Sequence, residues 1–248
     1  PLISYCSSVV TIHDLNYITL KHTMLAKRRV VLKFFSMQAA RRADHVITIS
    51  NFSKEKITRA IKLNPDKITV IHHGSIKNGN TNLSENWEKL SRRYGTKEPY
   101  VVAFGGGFLH KNIPRLIQAF ALLKDEFPHS LVLIGRIPSN VDLSVEPIEK
   151  WAKSRIITTG YVPADHILPF LSHADLFVLP SLYEGFGLPV LEAQQAGVAV
   201  ACSTAGSLPE VGGQGALYFE PTSVGNIAQT IRNCLADAEL SSQLILKG

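Results

Sequence analysis

SLYEGFGLPVLEAQQA, residues 181–196, follows an apolar run at 176–179 and reads as strand, glycine-bearing loop and helix. Pro189 suits the first turn of that helix, where its missing N–H is no loss. Two carboxylates flank the loop, Glu184 before the glycines and Glu192 about one turn into the helix. The backbone N–H groups of Phe186, Gly187 and Leu188 stand at the helix start, where unpaired donors and the macrodipole favour an anion. A carboxylate one turn further in does not bind that anion. It is suited to accept hydrogen bonds from hydroxyls, such as the vicinal diol of a ribose or hexose. Phosphate and sugar together point to a nucleotide-sugar.

The 248 residues, 45% of them apolar, allow two modest domains or one large one with a real core. The sequence opens at Pro1 with no initiator methionine and no signal-peptide pattern, so it is expected to be a piece of something longer. No uncharged apolar run approaches the length of a membrane span. Cys6, Cys202 and Cys234 are odd in number, lie in or beside apolar runs and lack metal-ligand spacing. Reduced, buried thiols in a cytoplasmic protein are the expectation. A net charge of +6 favours anionic partners without naming one.

Short apolar runs at 8–12, 45–49 and 67–71 predict three strands, and 52–62 a capped helix. Residues 15–43 hold Lys21, Lys27, Arg28, Arg29, Lys33, Arg41 and Arg42 with no acidic residue, and apolar residues interleave. A basic amphipathic helix or helix pair is expected there. Residues 78–97 turn to Asn, Ser, Gly and charge, with a short helix expected at 86–94. Strands are then expected at 100–104, 130–134, 155–159, 176–179, 198–202 and 216–219. Helices are expected between and after them, at 113–127, 145–153, 165–172, 189–196, 207–211 and 223–237. This alternation indicates an α/β fold of two Rossmann-like, doubly wound parallel sheets, the first one incomplete. The expected division is a partial N-terminal domain at 1–77, a linker at 78–98 and a C-terminal domain at 99–248.

His13-Asp14, Ser50-Asn51, His73-Gly74, Gly105-Gly106-Gly107, Gly135-Arg136, Gly160-Tyr161 and the stretches 181–184 and 203–206 each follow a predicted strand. They collect at the carboxyl ends of the strands, where open α/β sheets bind ligands. Gly105-Gly106-Gly107 fails as a dinucleotide fingerprint, because the third glycine would fall at His110. It works better as a phosphate loop, with Lys111 as a point charge at the next helix start. No carboxylate or cysteine stands at matching spacing from His72 and His73, so no metal site is expected. Nor does any basic and aromatic module argue for nucleic acid.

Glu184 and Glu192 within EGFGLPVLE resemble the paired-glutamate motif of retaining glycosyltransferases of the GT-B fold, the family 4 class. The likeness continues through VVTIHD, HKNIPRLIQAF and AVACSTAGSLPEVGGQGALYFE, with its Pro-Glu-Val step, and covers nearly all of the chain. It implies two domains facing across a cleft and transfer of a hexose from a nucleoside-diphosphate sugar to a glycan or lipid-linked acceptor hydroxyl, with retention and without a cofactor or metal. By resemblance His13 lies beside the donor sugar, Glu184 orients it, Glu192 holds the ribose, and Lys111, with Gly106 and Gly107, meets the diphosphate. An arginine usual in the family a few residues before that lysine is replaced here by glycine. By overall likeness mannose from a guanosine donor is the first candidate cargo, with glucose, rhamnose and N-acetylglucosamine left open beside it. The basic stretch from Lys21 to Arg42 has two readings, a solvated helix face or a surface that touches an anionic membrane, at its inner face, or a lipid-linked acceptor. The rival readings are a non-catalytic nucleotide-sugar-binding module and another sugar-nucleotide enzyme such as an epimerase.

Overall fold

A computed structural model describes residues 6–20, 25–74, 83–106, 108–136 and 154–248. The helix expected at 145–153, Lys21 and Gly107 lie outside the described residues. The chain forms two compact units. The first comprises Pro1–Gly74 with Tyr183–Gly187 and Gly206–Val211, and the second Ser75–Leu182, Leu188–Ala205 and Gly212–Gly248.

In the first unit β1 (Val9–Thr11), β2 (His45–Thr48) and β3 (Ile68–Val70) form a parallel sheet in that order. The register sets Val10 opposite Val46, and Val46 opposite Ile68. Helices α1 (Asn16–Thr19) and α2 (Ala26–Arg42) separate β1 from β2, and α3 (Asn51–Ile61) separates β2 from β3. Ile57 and Ile61, one turn apart on α3, are buried with Ile12, Leu15 and Val46.

The helix pair expected in the basic stretch is present, but its apolar residues do not all face inward. Leu32, Met37 and Ala40 pack on the core, whereas Val30, Val31, Phe34 and Phe35 are exposed beside Lys27, Arg28, Arg41 and Arg42. Cys6 also departs from expectation: it is exposed, in a bend ahead of β1, while Cys202 and Cys234 are buried thiols.

The second unit opens on α4 (Leu83–Tyr94) and continues with β4 (Tyr100–Phe104), α5 (Ile113–Ala121), β5 (Ser130–Ile134), β6 (Ile156–Gly160), α6 (Ala164–Ser172), β7 (Leu176–Leu179), α7 (Leu188–Gln195), β8 (Val200–Ser203) and, across the loop holding α8 (Leu208–Gly212), β9 (Ala216–Phe219). The sheet is parallel throughout in the order β6-β5-β4-β7-β8-β9, the Rossmann order. Strand order reverses between β4 and β7, where Val101 pairs with Leu176 and Val102 with Phe177.

Both faces of this sheet are covered, so its central strands are apolar throughout. On one face Leu116, Ile117 and Phe120 of α5 pack with Ile227 and Ile231 of α9 (Val224–Ala236). Truncating a buried ring such as Phe120 costs about 3–5 kcal/mol. Helix α5 stops at Ala121 rather than 127, where the chain tightens into three-residue turns, with the Leu122 N–H on the Ala119 carbonyl and the Leu123 N–H on that of Phe120; beyond it the Arg155 guanidinium takes the carbonyls of Lys124, at 3.0 Å, and Phe127, at 2.6 Å. A final helix absent from the sequence reading, α10 (Ala238–Lys247), is capped by the Asp237 carboxylate at the Leu240 N–H.

Candidate functional site

In the first unit, three strand ends and two loops meet. Gly185 is buried against Asp14, and a Cβ on it would overlap that carboxylate. Its carbonyl accepts from the Ser50 hydroxyl at 2.8 Å and the Ser53 hydroxyl at 3.2 Å. Gly206 has φ of 69° and sits against the backbone of Glu184, where any Cβ would collide with the carbonyl. The Ser207 N–H donates to that carbonyl at 3.2 Å, and the Ser207 hydroxyl to the Phe186 carbonyl at 2.7 Å. The loop bearing Glu184 is thus fixed on both sides by its backbone.

The His13 ring stacks on His73 at 5.5 Å, and His73 meets the Phe186 ring edge-on at 5.4 Å. Tyr183 is buried beside Phe52, and desolvation, reinforced by the charge of Asp14, pushes its hydroxyl above its ordinary range. The structure therefore brings His13, Glu184, Phe186 and Gly187 of the sequence reading into one unit, with Asp14.

The second unit carries the remainder. At the strand-order reversal the loop after β7 binds the loop after β4, for the Leu182 N–H donates to the His110 carbonyl at 2.7 Å. Lys111 ends a single 3₁₀ turn, Leu109–Lys111, and the next residue, Asn112, is buried at φ 58°. The Asn112 amide donates to the carbonyls of Pro180, at 3.0 Å, and Pro221, at 2.7 Å, and accepts from Arg115 at 2.9 Å. Asn112 thus anchors the turn that carries Lys111.

Gly105 and Gly106 pack backbone to backbone on the turn after β5. Their N–H groups donate to the carbonyls of Ile134 and Arg136, each at 2.7 Å. A phosphate contact by Gly106 would come from close approach, because that N–H is already engaged.

Glu192 lies on α7, four residues beyond Leu188 at the helix start, and borders a cavity of about 150 Å³. Phe104, Ala164, Ile167, Leu168 and Leu171 line its apolar side, and Glu192 and Gln195 its polar side. Burial holds the Glu192 carboxyl above its ordinary range, and among the described residues nothing offsets that burial. A half-buried carboxylate beside Gln195, facing an apolar wall, fits a ligand that brings hydroxyl donors and a flat ring face.

Glu210 was visible in the sequence only as part of the Pro-Glu-Val step. It accepts from the N–H groups of Asn51, at 2.7 Å, and Phe52, at 3.2 Å, and from His72 at 2.8 Å. Burial alone would raise its carboxyl, but these hydrogen bonds prevail and hold it below the ordinary range. Ser50-Asn51 at a strand end, opening a helix, was the available hint of a capping site. Among the described residues no group of three or more histidine, cysteine or acidic side chains could hold a metal, and no helix is long and apolar enough to cross a membrane.

Residues 84–248 match the family described as Glycosyl transferases group 1, and residues 5–75 that described as Glycosyltransferase Family 4. The chain is 32% identical over 245 residues to O-antigen chain mannosyltransferase B of Escherichia coli, covering 93% of this chain and 61% of that protein. It is 26% identical over 227 residues to O-antigen chain mannosyltransferase RfbU of Salmonella typhimurium, covering 92% and 60%. The chain thus spans about three fifths of the length of these relatives. Among solved structures it is similar to Anabaena HepE in complex with UDP, with TM-score 0.71 and 21% identity over 96% of this chain and 65% of that one.

Proposed function

The chain belongs to the Glycosyl transferases group 1 family, and from that premise we propose that it moves a hexose from a nucleoside-diphosphate sugar to a glycan or lipid-linked acceptor hydroxyl, with retention. The observation that carries this reading is the seating of Gly185 on Asp14, which fixes the Glu184 loop beside the His13 turn. Mannose is the proposed sugar, supported by the two mannosyltransferases named above, and a guanosine diphosphate the proposed carrier.

Breaking the bond between the sugar and the diphosphate builds negative charge on phosphate and oxocarbenium character on the sugar. Lys111 stabilises the first by its charge. Glu184 and His13 are assigned to the sugar, where a carboxylate orients hydroxyls and offsets positive charge. Glu192 is assigned to the ribose, with the nucleobase in the adjoining cavity. The donor phosphate itself helps to deprotonate the acceptor, and no metal step is invoked.

A specific observation supports a second element of this reading, peripheral membrane contact. The exposed Val30, Val31, Phe34 and Phe35 lie intermixed with cationic side chains on α2 rather than on a face of their own, so the contact proposed is one of charge, an acid-free basic stretch against anionic lipid at the inner membrane face. Flotation with anionic vesicles is expected to carry the protein, and equal partitioning with neutral vesicles contradicts it.

Product analysis after incubation with guanosine- and uridine-diphosphate hexoses and a glycan acceptor tests the main proposal. A glycosylated acceptor with retained anomeric configuration supports it. An epimerised donor, or a bound donor left unaltered, points instead to the two rival readings.

A further inference from the structure

Every N–H of the first turn of α3 has a partner. Ser53 donates to the Ser50 hydroxyl at 3.0 Å and Lys54 to the Ser50 carbonyl at 2.9 Å, while Asn51 and Phe52 donate to Glu210. The Asn51 side-chain amide adds a further bond to Glu210 at 2.8 Å. A helix start attracts an anion, and here the protein supplies its own. The same carboxylate oxygen that takes the Asn51 N–H also takes the His72 ring, so one side chain links the start of α3 to the turn after β3.

The next residue in that turn, His73, stands between the rings of His13 and Phe186. His72 itself lies 5.8 Å from Phe186. We infer that Glu210 is a positioning residue: by fixing His72 to the start of α3 it sets the orientation of His73, and through it the His13 ring and the loop bearing Glu184. Its effect travels through two neighbouring aromatic contacts, each of which has a directional preference.

The inference rests on the transferase reading for its effect on turnover, but its geometric content is independent of that reading. The test is therefore double, on folded Glu210→Gln and Glu210→Ala proteins with Glu220→Gln as an exposed control. In histidine ring spectra the His13 and His73 resonances are expected to move in both Glu210 variants and to stay in place in the control. In kinetics, kcat is expected to fall about tenfold in Glu210→Gln and further in Glu210→Ala, with KM for the donor little changed. Unmoved His13 and His73 resonances in a folded variant overturn the inference, as does a kcat equal to that of the parent. Absence of transfer in the parent protein would contradict the proposed function instead, and the ring spectra alone would then decide the positioning role.

Discussion

Glu210 in the first unit and Glu192 in the second are both glutamates near helix starts, yet their surroundings are opposite. Glu210 is surrounded by donors, from Asn51, Phe52 and His72, and its carboxyl is held low. Glu192 faces an apolar cavity, and burial holds its carboxyl high. The difference separates a carboxylate whose burial is offset by donors from one whose burial is not, and the proposed nucleoside hydroxyls would supply the missing donors. It also predicts opposite consequences when each charge is removed.

The largest effect should come from the loop that Glu210's neighbours hold in place. Gly185→Ala puts a methyl into Asp14, and transfer activity is expected to fall by more than about 100-fold, as for other misplaced groups near a reacting centre. Near-parental turnover in this variant would break the link between the tight packing of that loop and its chemistry.

Glu192→Gln is expected to weaken nucleotide binding by about 10- to 100-fold, the worth of hydrogen bonds to a charged acceptor. Because it removes a desolvated charge, it should leave thermal stability level or slightly raised. A clear loss of stability would place Glu192 in the same class as Glu210 and erase the contrast.

Asn112→Ala strips two buried carbonyls of their donor, and a loss of about 1–3 kcal/mol in denaturant unfolding is expected. Its sharper consequence is a drop in turnover matching that of Lys111→Ala, since Asn112 fixes the adjoining turn.

The two carboxylates should also differ with pH. A folded-state pKa held low means that Glu210 contributes stability above its unfolded pKa and loses it as pH falls through the folded value. Glu210→Gln is therefore expected to be less stable than the parent at neutral pH, by about 1 kcal/mol, with the gap closing in acid below the ordinary carboxylate range. For Glu192, whose folded pKa is raised, the sign reverses, and stability falls as pH rises through that range. Thermal melts of both variants across the acid limb check both signs.

Much of this was legible in the sequence where the signal is local. The strand-loop-helix at 176–195 follows from period, glycines and Pro189, which set Glu184 before the loop and Glu192 on the helix; His13 is marked out by resemblance to the family rather than by its own position. What was not legible depends on partners far along the chain. The donors to Glu210 stand 159, 158 and 138 positions away, and no spacing rule reaches that far. The stretch after α5 is likewise tied from afar, by Arg155, which stands 31 and 28 residues from the carbonyls of Lys124 and Phe127 that it binds. On α2, composition gave the helix but could not say which of two apolar stripes faces the core. The apolar neighbours of Cys6 predict a buried thiol, whereas a bend ahead of the strand leaves it exposed.

The central claim is that the Glu192 cavity receives the nucleoside of the donor. The most direct measurement is the thermal stability of the parent and Glu192→Gln proteins with a panel of nucleoside diphosphates. At about a hundred times its dissociation constant, the cognate nucleotide should stabilise the parent by about 2.7 kcal/mol, and the shift should shrink or vanish in the variant. An equal shift in both proteins, or none for any nucleotide, would contradict the claim.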